Sequence, residues 1–554
     1  MSMDKKKRTY ASNAGLYALF VIGAIVAINM LGTRVFGRLD LTEKKVYTLS
    51  PASKDVVRNL PDYLSVKAYI SKDLPPELAT VSRYVRDLMD EYRTYSKGKL
   101  RFEAIDPGAD KKIEEEATTC KVNKLQIQVM RSQKFEVGTY YLGLCFQYAG
   151  QSEAIPEIGQ AEGLEYMVSS LVKRMTQKKR KVAFTTGHGE LDLNQGFQAL
   201  KHAMSQEYDT TSLNPSSAPI PDDVDALVVG GPKQAFDEKG AREIDAFLMK
   251  GKGAVFLVDG MAMNSPRGGA PDQPMPKIGQ PNESGLGTLL GGYGFKVGQD
   301  FILDRQNVPG PVDYNGRRML ANHAIFVGVE MKEAKDEKEF SVLSGIKAAV
   351  FPYASSVELT PPLSENKNGK TDRGQVWPLA KSSKNSWKQT GFFFMSPGAK
   401  VEESKDKGPF DLGFAYKGTL KSAFPPAAAP PPAAGMSGAE PANAPGSESK
   451  RPVRLVVVGD SDFASDEYIQ MARYIPLYQS GAQLLFNAVS WTMEDEALTP
   501  VRSKTVGARP IHLESEERAT LLKGINIIGL PVAFCLFGIL RWRVRRSTRL
   551  GQKL

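Results

Sequence analysis

The sequence predicts an α/β ectodomain, made of a small α/β domain and a larger doubly wound one, flanked by one transmembrane helix at each end. Three observations predict it. Short apolar runs alternate with stretches of helical spacing, an uncharged apolar run lies near each terminus, and basic residues cluster just outside both runs. The chain has 554 residues, 42% hydrophobic and 24% charged, which is globular composition with room for two to four domains. The membrane signals are therefore local.

The basic N-terminal segment 1–13 carries Lys5, Lys6, Lys7 and Arg8 against Asp4, and residues 14–33 form the first predicted span. The second predicted span, 524–540, is followed by the tail 541–554 with Arg541, Arg543, Arg545, Arg546, Arg549 and Lys553. Basic flanks stay on the cytoplasmic side, so both termini are expected inside and the main domain outside, at a bacterial inner membrane. A cleaved signal peptide is the rival for 14–33, although no A-x-A site follows it. The flanks supply nine of the ten net positive charges. No basic stripe with interleaved aromatics remains between them, which argues against nucleic acid as a partner.

Within the ectodomain, Ser50 and Pro51 read as the N-cap and first position of a helix. Leu64 to Ile70 reads as a strand, Pro76 to Ser96 as a helix and Lys99 to Ile105 as a strand, so a small α/β domain spans 34–180. It continues with strands at Leu125 to Met130 and Thr139 to Tyr148 and a helix from about Gln160 to Thr176. A second domain, 181–422, follows with strands at Val182 to Thr186, Ala226 to Val229 and Ala254 to Asp259. Helices around Phe197 to Ser205 and Glu238 to Met249 separate them, the pattern of a parallel sheet covered on both faces. Asn264 to Gly285 reads as a Gly/Pro-rich surface loop, and 423–450 as a Pro/Ala-rich linker with too few large apolar residues to bury. Residues 451–520 return to the second domain through a strand at Val453 to Val458 and a helix at Gln479 to Met493.

Gly369-Lys370-Thr371 lacks the upstream glycine of a phosphate loop, since position 365 is Glu365, so ATP hydrolysis is expected in a separate subunit. Gly285-Leu286-Gly287 follows no strand directly and is a weak dinucleotide signal; no cofactor is expected. His202, His323 and His512 have no Cys or His at metal spacing, so no metal site is expected. Cys120 and Cys145 can pair in an oxidising compartment, but spacing does not fix their distance, and two free buried thiols are the preferred reading.

The most specific turn is Gly187-His188-Gly189-Glu190, directly after a strand, where doubly wound sheets bind ligands. His188 and Glu190 offer a donor and an acceptor to an envelope carbohydrate or peptide, or acid-base chemistry to an envelope hydrolase. The alternative is that they stabilise the loop. Asp460 and Asp462 end a later strand and serve either as ligand groups or as helix caps, with capping preferred.

Thr48-Leu49-Ser50-Pro51-Ala52-Ser53-Lys54, Leu164-Glu165-Tyr166, Gly187-His188-Gly189-Glu190 and Trp491-Thr492-Met493-Glu494-Asp495-Glu496 together resemble the GldG family of gliding-motility-associated ABC transporter auxiliary proteins. The resemblance spans nearly the whole chain. It implies a thioredoxin-like first domain, a glutamine-amidotransferase-like second domain, and a separate permease and ATPase as partners. Enzymes of the amidotransferase fold use a Cys nucleophile, and no cysteine lies between Cys145 and Cys535; the first domain also has no C-x-x-C. The resemblance thus implies a non-catalytic auxiliary or substrate-binding subunit, with a structural scaffold of a motility or envelope machine as a further alternative.

Overall fold

The computed structural model describes residues 48–494 and 501 except 132–133, 265–277, 315–316, 332–339, 362, 365–369, 372, 392, 395–402 and 425–447, together with 20, 23–24, 537–539 and 541–543. Most of both predicted spans, of the Asn264 to Gly285 loop and of the 423–450 linker lies outside the described residues. Among those described, no helix is long and apolar enough to cross a membrane. Phe20, Phe537 and Ile539 are helical and exposed. The chain divides into units 1–505 and 506–554, and the account below concerns the first.

That unit opens with helix α1 (Pro51–Arg58), whose N-cap Ser50 accepts a hydrogen bond from the Ser53 amide. Strand β1 (Leu64–Ile70), helix α2 (Pro76–Tyr95) and strand β2 (Leu100–Ile105) form a parallel βαβ unit. Helix α3 (Lys111–Thr119) follows, capped by Asp110. Its sequence is so charged that apolar spacing does not mark it. Strands β3 (Lys124–Arg131), β4 (Lys134–Tyr148) and β5 (Gln151–Ile155) complete a mixed five-stranded sheet ordered β2-β1-β4-β3, with β5 on β4. Helix α4 (Leu164–Thr176) closes it.

Cys120, just beyond α3, is disulfide-bonded to Cys145 in β4, with Cα atoms 6.0 Å apart. This corrects the preference for free thiols. The 25-residue separation hides the contact, because α3 and the β3–β4 hairpin fold the chain back on itself.

The second sheet has strands β6 (Arg180–Thr185), β7 (Tyr208–Leu213), β8 (Ala226–Gly230), β9 (Gly253–Leu257), β10 (Lys370–Thr371), β11 (Gly374–Lys381), β12 (Asp411–Gly418) and β13 (Val453–Val458). Their spatial order is β10-β11-β12-β13-β9-β8-β6-β7, parallel from β13 to β7 and antiparallel beyond. The five parallel strands run 2-1-3-4-5 in chain order, a doubly wound topology whose direction of winding switches between β6 and β8. Every residue of β13 is buried, as both faces are covered. Val456 and Val458 pack with α5 (Gln198–Met204) and α8 (Gln479–Thr492). Leu455 and Val457 pack with α6 (Glu238–Met249) and α7 (Gly287–Tyr293). Edge strand β7, YDTTSL, is too polar to stand out as an apolar run.

Between β9 and β12 the chain builds short antiparallel pairs, Phe295–Val297 with Val357–Leu359 and Asp300–Asp304 with Ser386–Thr390, and a hairpin of Asn307–Tyr314 and Arg317–Glu330. The Asp300–Asp304 pair and the hairpin share a small core around Phe301, Phe326, Tyr353 and Tyr468, whereas Phe295 and Val357 pack into the core beside α6 and α7.

Candidate functional site

The loops after β6, β8, β9 and β13 meet at the carboxyl edge of the parallel strands, and they carry His188 and Glu190, Lys233, Asp259, and Asp460 and Asp462 respectively. At the switch point between β6 and β8 the two loops are joined through their backbones. The amides of Lys233 and Gln234 donate to the His188 carbonyl (2.9 and 2.8 Å), and the Leu191 amide donates to Gly230 (2.8 Å).

His188 and Glu190 come together but turn inward. The Glu190 side chain has no exposure, and its carboxylate accepts the His188 amide at 2.6 Å while lying 3.3 Å from Nδ1. Nε2 of His188 lies 3.1 Å from Ser216 Oγ, which donates to Asp237 at 2.6 Å, and the imidazole stacks on Phe236 with centroids 3.8 Å apart. Gly187 has φ +104°, and a Cβ there would stand 2.2 Å from the Asn214 side chain, so glycine is needed for contact with the chain itself. The side chains of the turn are thus engaged with each other and with Ser216.

Asp460 is fully buried. Its Oδ1 accepts from the amides of Asp462 (2.7 Å) and Phe463 (3.2 Å) and so holds the start of the helical turn Asp462–Ala464, whose N-cap position is Ser461. Its Oδ2 has no hydrogen-bond partner among the described residues. Burial, and then the nearby Asp462 and Asp259, hold its carboxyl well above the usual carboxylate range. Asp259 is also raised by burial, and it accepts the Ser461 amide (2.7 Å) and hydroxyl (2.6 Å). Asp462 lies in the first turn of that short helix. No group of three or more metal-ligating side chains is found among the described residues.

The open space at this edge lies next to β9 instead. A cleft of about 400 Å³ runs from Val258, Asp259 and Gly260 across α7 to the Phe295–Val297 strand. Sequence reasoning passed over it, because its walls come from segments that are far apart in the chain; the glycines at 285, 287 and 291 were the available signal.

A second polar cluster lies in the first domain. The Glu165 Oε1 accepts the Ser50 amide (2.7 Å) and the Ser53 hydroxyl (2.8 Å); Ser169 donates to Ser53 (2.8 Å), and Tyr92 Oη lies 2.5 Å from Ser169 Oγ. Two motifs 115 residues apart, T-L-S-P-A-S-K and L-E-Y, are thereby fastened together. The W-T-M-E segment is held similarly, since Arg454 donates to the Trp491 carbonyl at 2.9 Å and lies over its ring. Leu49, where the described chain enters the domain, and Val501, beyond α8, are both buried in the first-domain core.

The fold and this edge define a mixed α/β protein with a doubly wound domain and a cleft beside its parallel strands. Residues 179–488, more than half the chain, match the family described as an ABC-type uncharacterized transport system, and the chain belongs to that family. It is thus a transport-associated auxiliary protein. Residues 43–147 match a domain of unknown function. A protein of Borreliella burgdorferi described as uncharacterized is 24% identical over 98% of this chain and 99% of its own length. Among solved structures, the mmIFT52 N-terminal domain gives a TM-score of 0.32 at 12% identity, covering 56% of this chain and 97% of that one. A ThuA-like protein from Parabacteroides merdae gives 0.27 at 10% identity, covering 60% and 94%.

Proposed function

We propose that the chain is the extracytoplasmic, non-catalytic auxiliary or substrate-binding subunit of an ABC transporter of the gliding-motility type. Its helices at 14–33 and 524–540 dock a permease in the inner membrane, and the ATPase is a separate chain. The family match carries this reading. On it, the first domain is thioredoxin-like and the second amidotransferase-like.

Three features support the placement. The Cys120–Cys145 disulfide suits an oxidising compartment. Exposed helical Phe537 and Ile539, followed by Arg541, Trp542 and Arg543, suit a span ending in an aromatic and basic border. Leu49 and Val501 are buried in one core, so the chain leaves the first domain on the way to both expected spans. The inward-facing His188 and Glu190 leave no free acid-base pair at that turn, which favours binding over hydrolysis.

The test is purification of the full-length tagged chain in mild detergent, with identification of its companions. A permease and an ATPase recovered with it are the expected result; a chain that purifies alone, with no ABC subunit, overturns the reading.

A further inference from the structure

The segment that joins the two domains gathers positive charge around one small space. Lys173 and Arg174 in the last turn of α4, Lys178 and Lys179 in the link, and Arg180 at the start of β6 all line a notch of about 60 Å³. Glu207 is the one acid in its lining, and it already accepts the Tyr166 hydroxyl. Five cations against one carboxylate leave a net charge of +4 around the notch.

Neither helix electrostatics nor ion pairing accounts for this excess. The negative end of a helix dipole favours Lys173 and Arg174, but the effect fades within the last turn, and Lys178, Lys179 and Arg180 lie beyond it. Arg174 is paired with Glu153 at 3.0 Å, whereas Lys179 stands 3.9 Å from Asp209, at the limit of an ion pair. Lys178 is exposed, and Asp223, which senses its charge, is paired with Lys181 at 2.9 Å. Lys179 and Arg180 are held by neutral acceptors, the carbonyls of Ser205 (2.9 Å) and Met493. A cation anchored on a carbonyl is fixed in place and keeps its charge for something else.

The size of the notch and its donors select the ligand. A buried water needs roughly 10–15 Å³ of cavity, so about 60 Å³ admits a compact group of a few heavy atoms and no sugar ring. Cations reach it from two directions, the end of α4 and the entry to β6, and Arg174 and Arg180 bring planar forks of N–H donors. A carboxylate offers these donors one charge in one plane. A phosphate monoester offers three terminal oxygens and about two charges, which suits both the donors and the excess.

We propose that this notch is a phosphate-binding site, occupied by inorganic phosphate or by the phosphate of a lipid headgroup, which bridges α4 of the first domain and β6 of the second. The site lies away from the carboxyl edge of the parallel strands and does not depend on the transporter reading.

The test follows amide hydrogen exchange over residues 170–181 of the purified full-length chain in detergent. The chain is titrated with inorganic phosphate at constant ionic strength set by chloride, and separately with water-soluble dihexanoyl phosphatidic acid. Protection of this segment by phosphate is expected. Lys178→Glu is expected to melt with the parent, because the side chain is exposed, and to raise the half-saturating concentration about tenfold. Lys178→Arg should bind as the parent does, and Lys178→Gln should fall between the two. Protection by the lipid and not by free phosphate upholds the site and assigns it to a headgroup. Protection by neither, protection that chloride alone reproduces, or an unchanged half-saturating concentration in both Lys178→Glu and Lys178→Gln overturns the proposal. Binding is read on the chain alone and the transporter reading by copurification, so either can fail without the other.

Discussion

Two buried carboxylate clusters in this chain are built to opposite rules. Around Glu165 the donors converge: Ser50, Ser53, Ser169 and Tyr92 form one connected network that fastens the entry of the ectodomain to α4. Around Asp460 they run short, with one carboxylate oxygen unpartnered among the described residues and a second buried carboxylate, Asp259, close enough to raise its pKa. A satisfied buried network rigidifies, whereas an unsatisfied one costs stability. The first cluster is a latch. The second sits at the carboxyl edge of a parallel sheet, where stability is commonly given up to function.

The largest expected effect lies in the latch. Glu165→Ala leaves the Ser50 amide and Ser53 hydroxyl without their acceptor and should cost about 3 kcal/mol, read as a lower denaturation midpoint with unchanged m-value. Glu165→Gln keeps an acceptor oxygen and should cost clearly less. Equal losses for the two variants would mean that charge, and not the hydrogen-bond geometry, holds the latch.

Next comes the turn at the switch point, which resembles the latch in having its polar groups engaged. The double change His188→Ala and Glu190→Ala should lower stability by about 2 kcal/mol, since it removes buried hydrogen bonds and a stacked ring. Thermal melting beside a transport or binding assay decides the matter. Loss of function with an unchanged melting temperature would make the turn a ligand site and place it with the Asp460 cluster.

A smaller effect of opposite sign is expected at Asp460. Asp460→Asn keeps Oδ1 for the amides of Asp462 and Phe463 and removes the cost of ionising a buried acid, so it should gain about 1 kcal/mol at pH 8. The wild-type carboxyl is raised in the folded state, so it binds its proton more tightly there than in the unfolded chain. Its stabilising contribution is full below the ordinary value of 3.8 and is lost as pH rises through the raised folded value. The advantage of Asp460→Asn should therefore be slight near pH 4 and grow toward pH 8. A constant difference in melting temperature across that range would remove the titration from the account.

The smallest expected effect is at Gly287, where Ala meets no atom within 4 Å and should raise stability by up to about 1 kcal/mol. A loss there would show that the glycine serves the fold after all.

What the sequence alone determined is what short-range chemistry controls. The Ser50–Pro51 helix start, the central strands at Val182, Ala226, Ala254 and Val453 and the α6 helix were legible, because each is set by a cap or an apolar run within a few residues. The Gly187–Glu190 turn was placed after the correct strand for the same reason. Its direction was not legible, because that depends on Ser216 and Phe236, which other strands deliver. Helix α5 shows the limit plainly: Phe197 gives it no side-chain cap, and its first amides are met by Asp466, 268 residues away from Gln198. The Cys120–Cys145 bond, Glu165 under Ser50, Val501 in the first core and the cleft beside α7 belong to the same class. Local preferences act over a turn or two of chain, whereas each of these contacts exists only after distant segments have packed, so tertiary structure alone decided them.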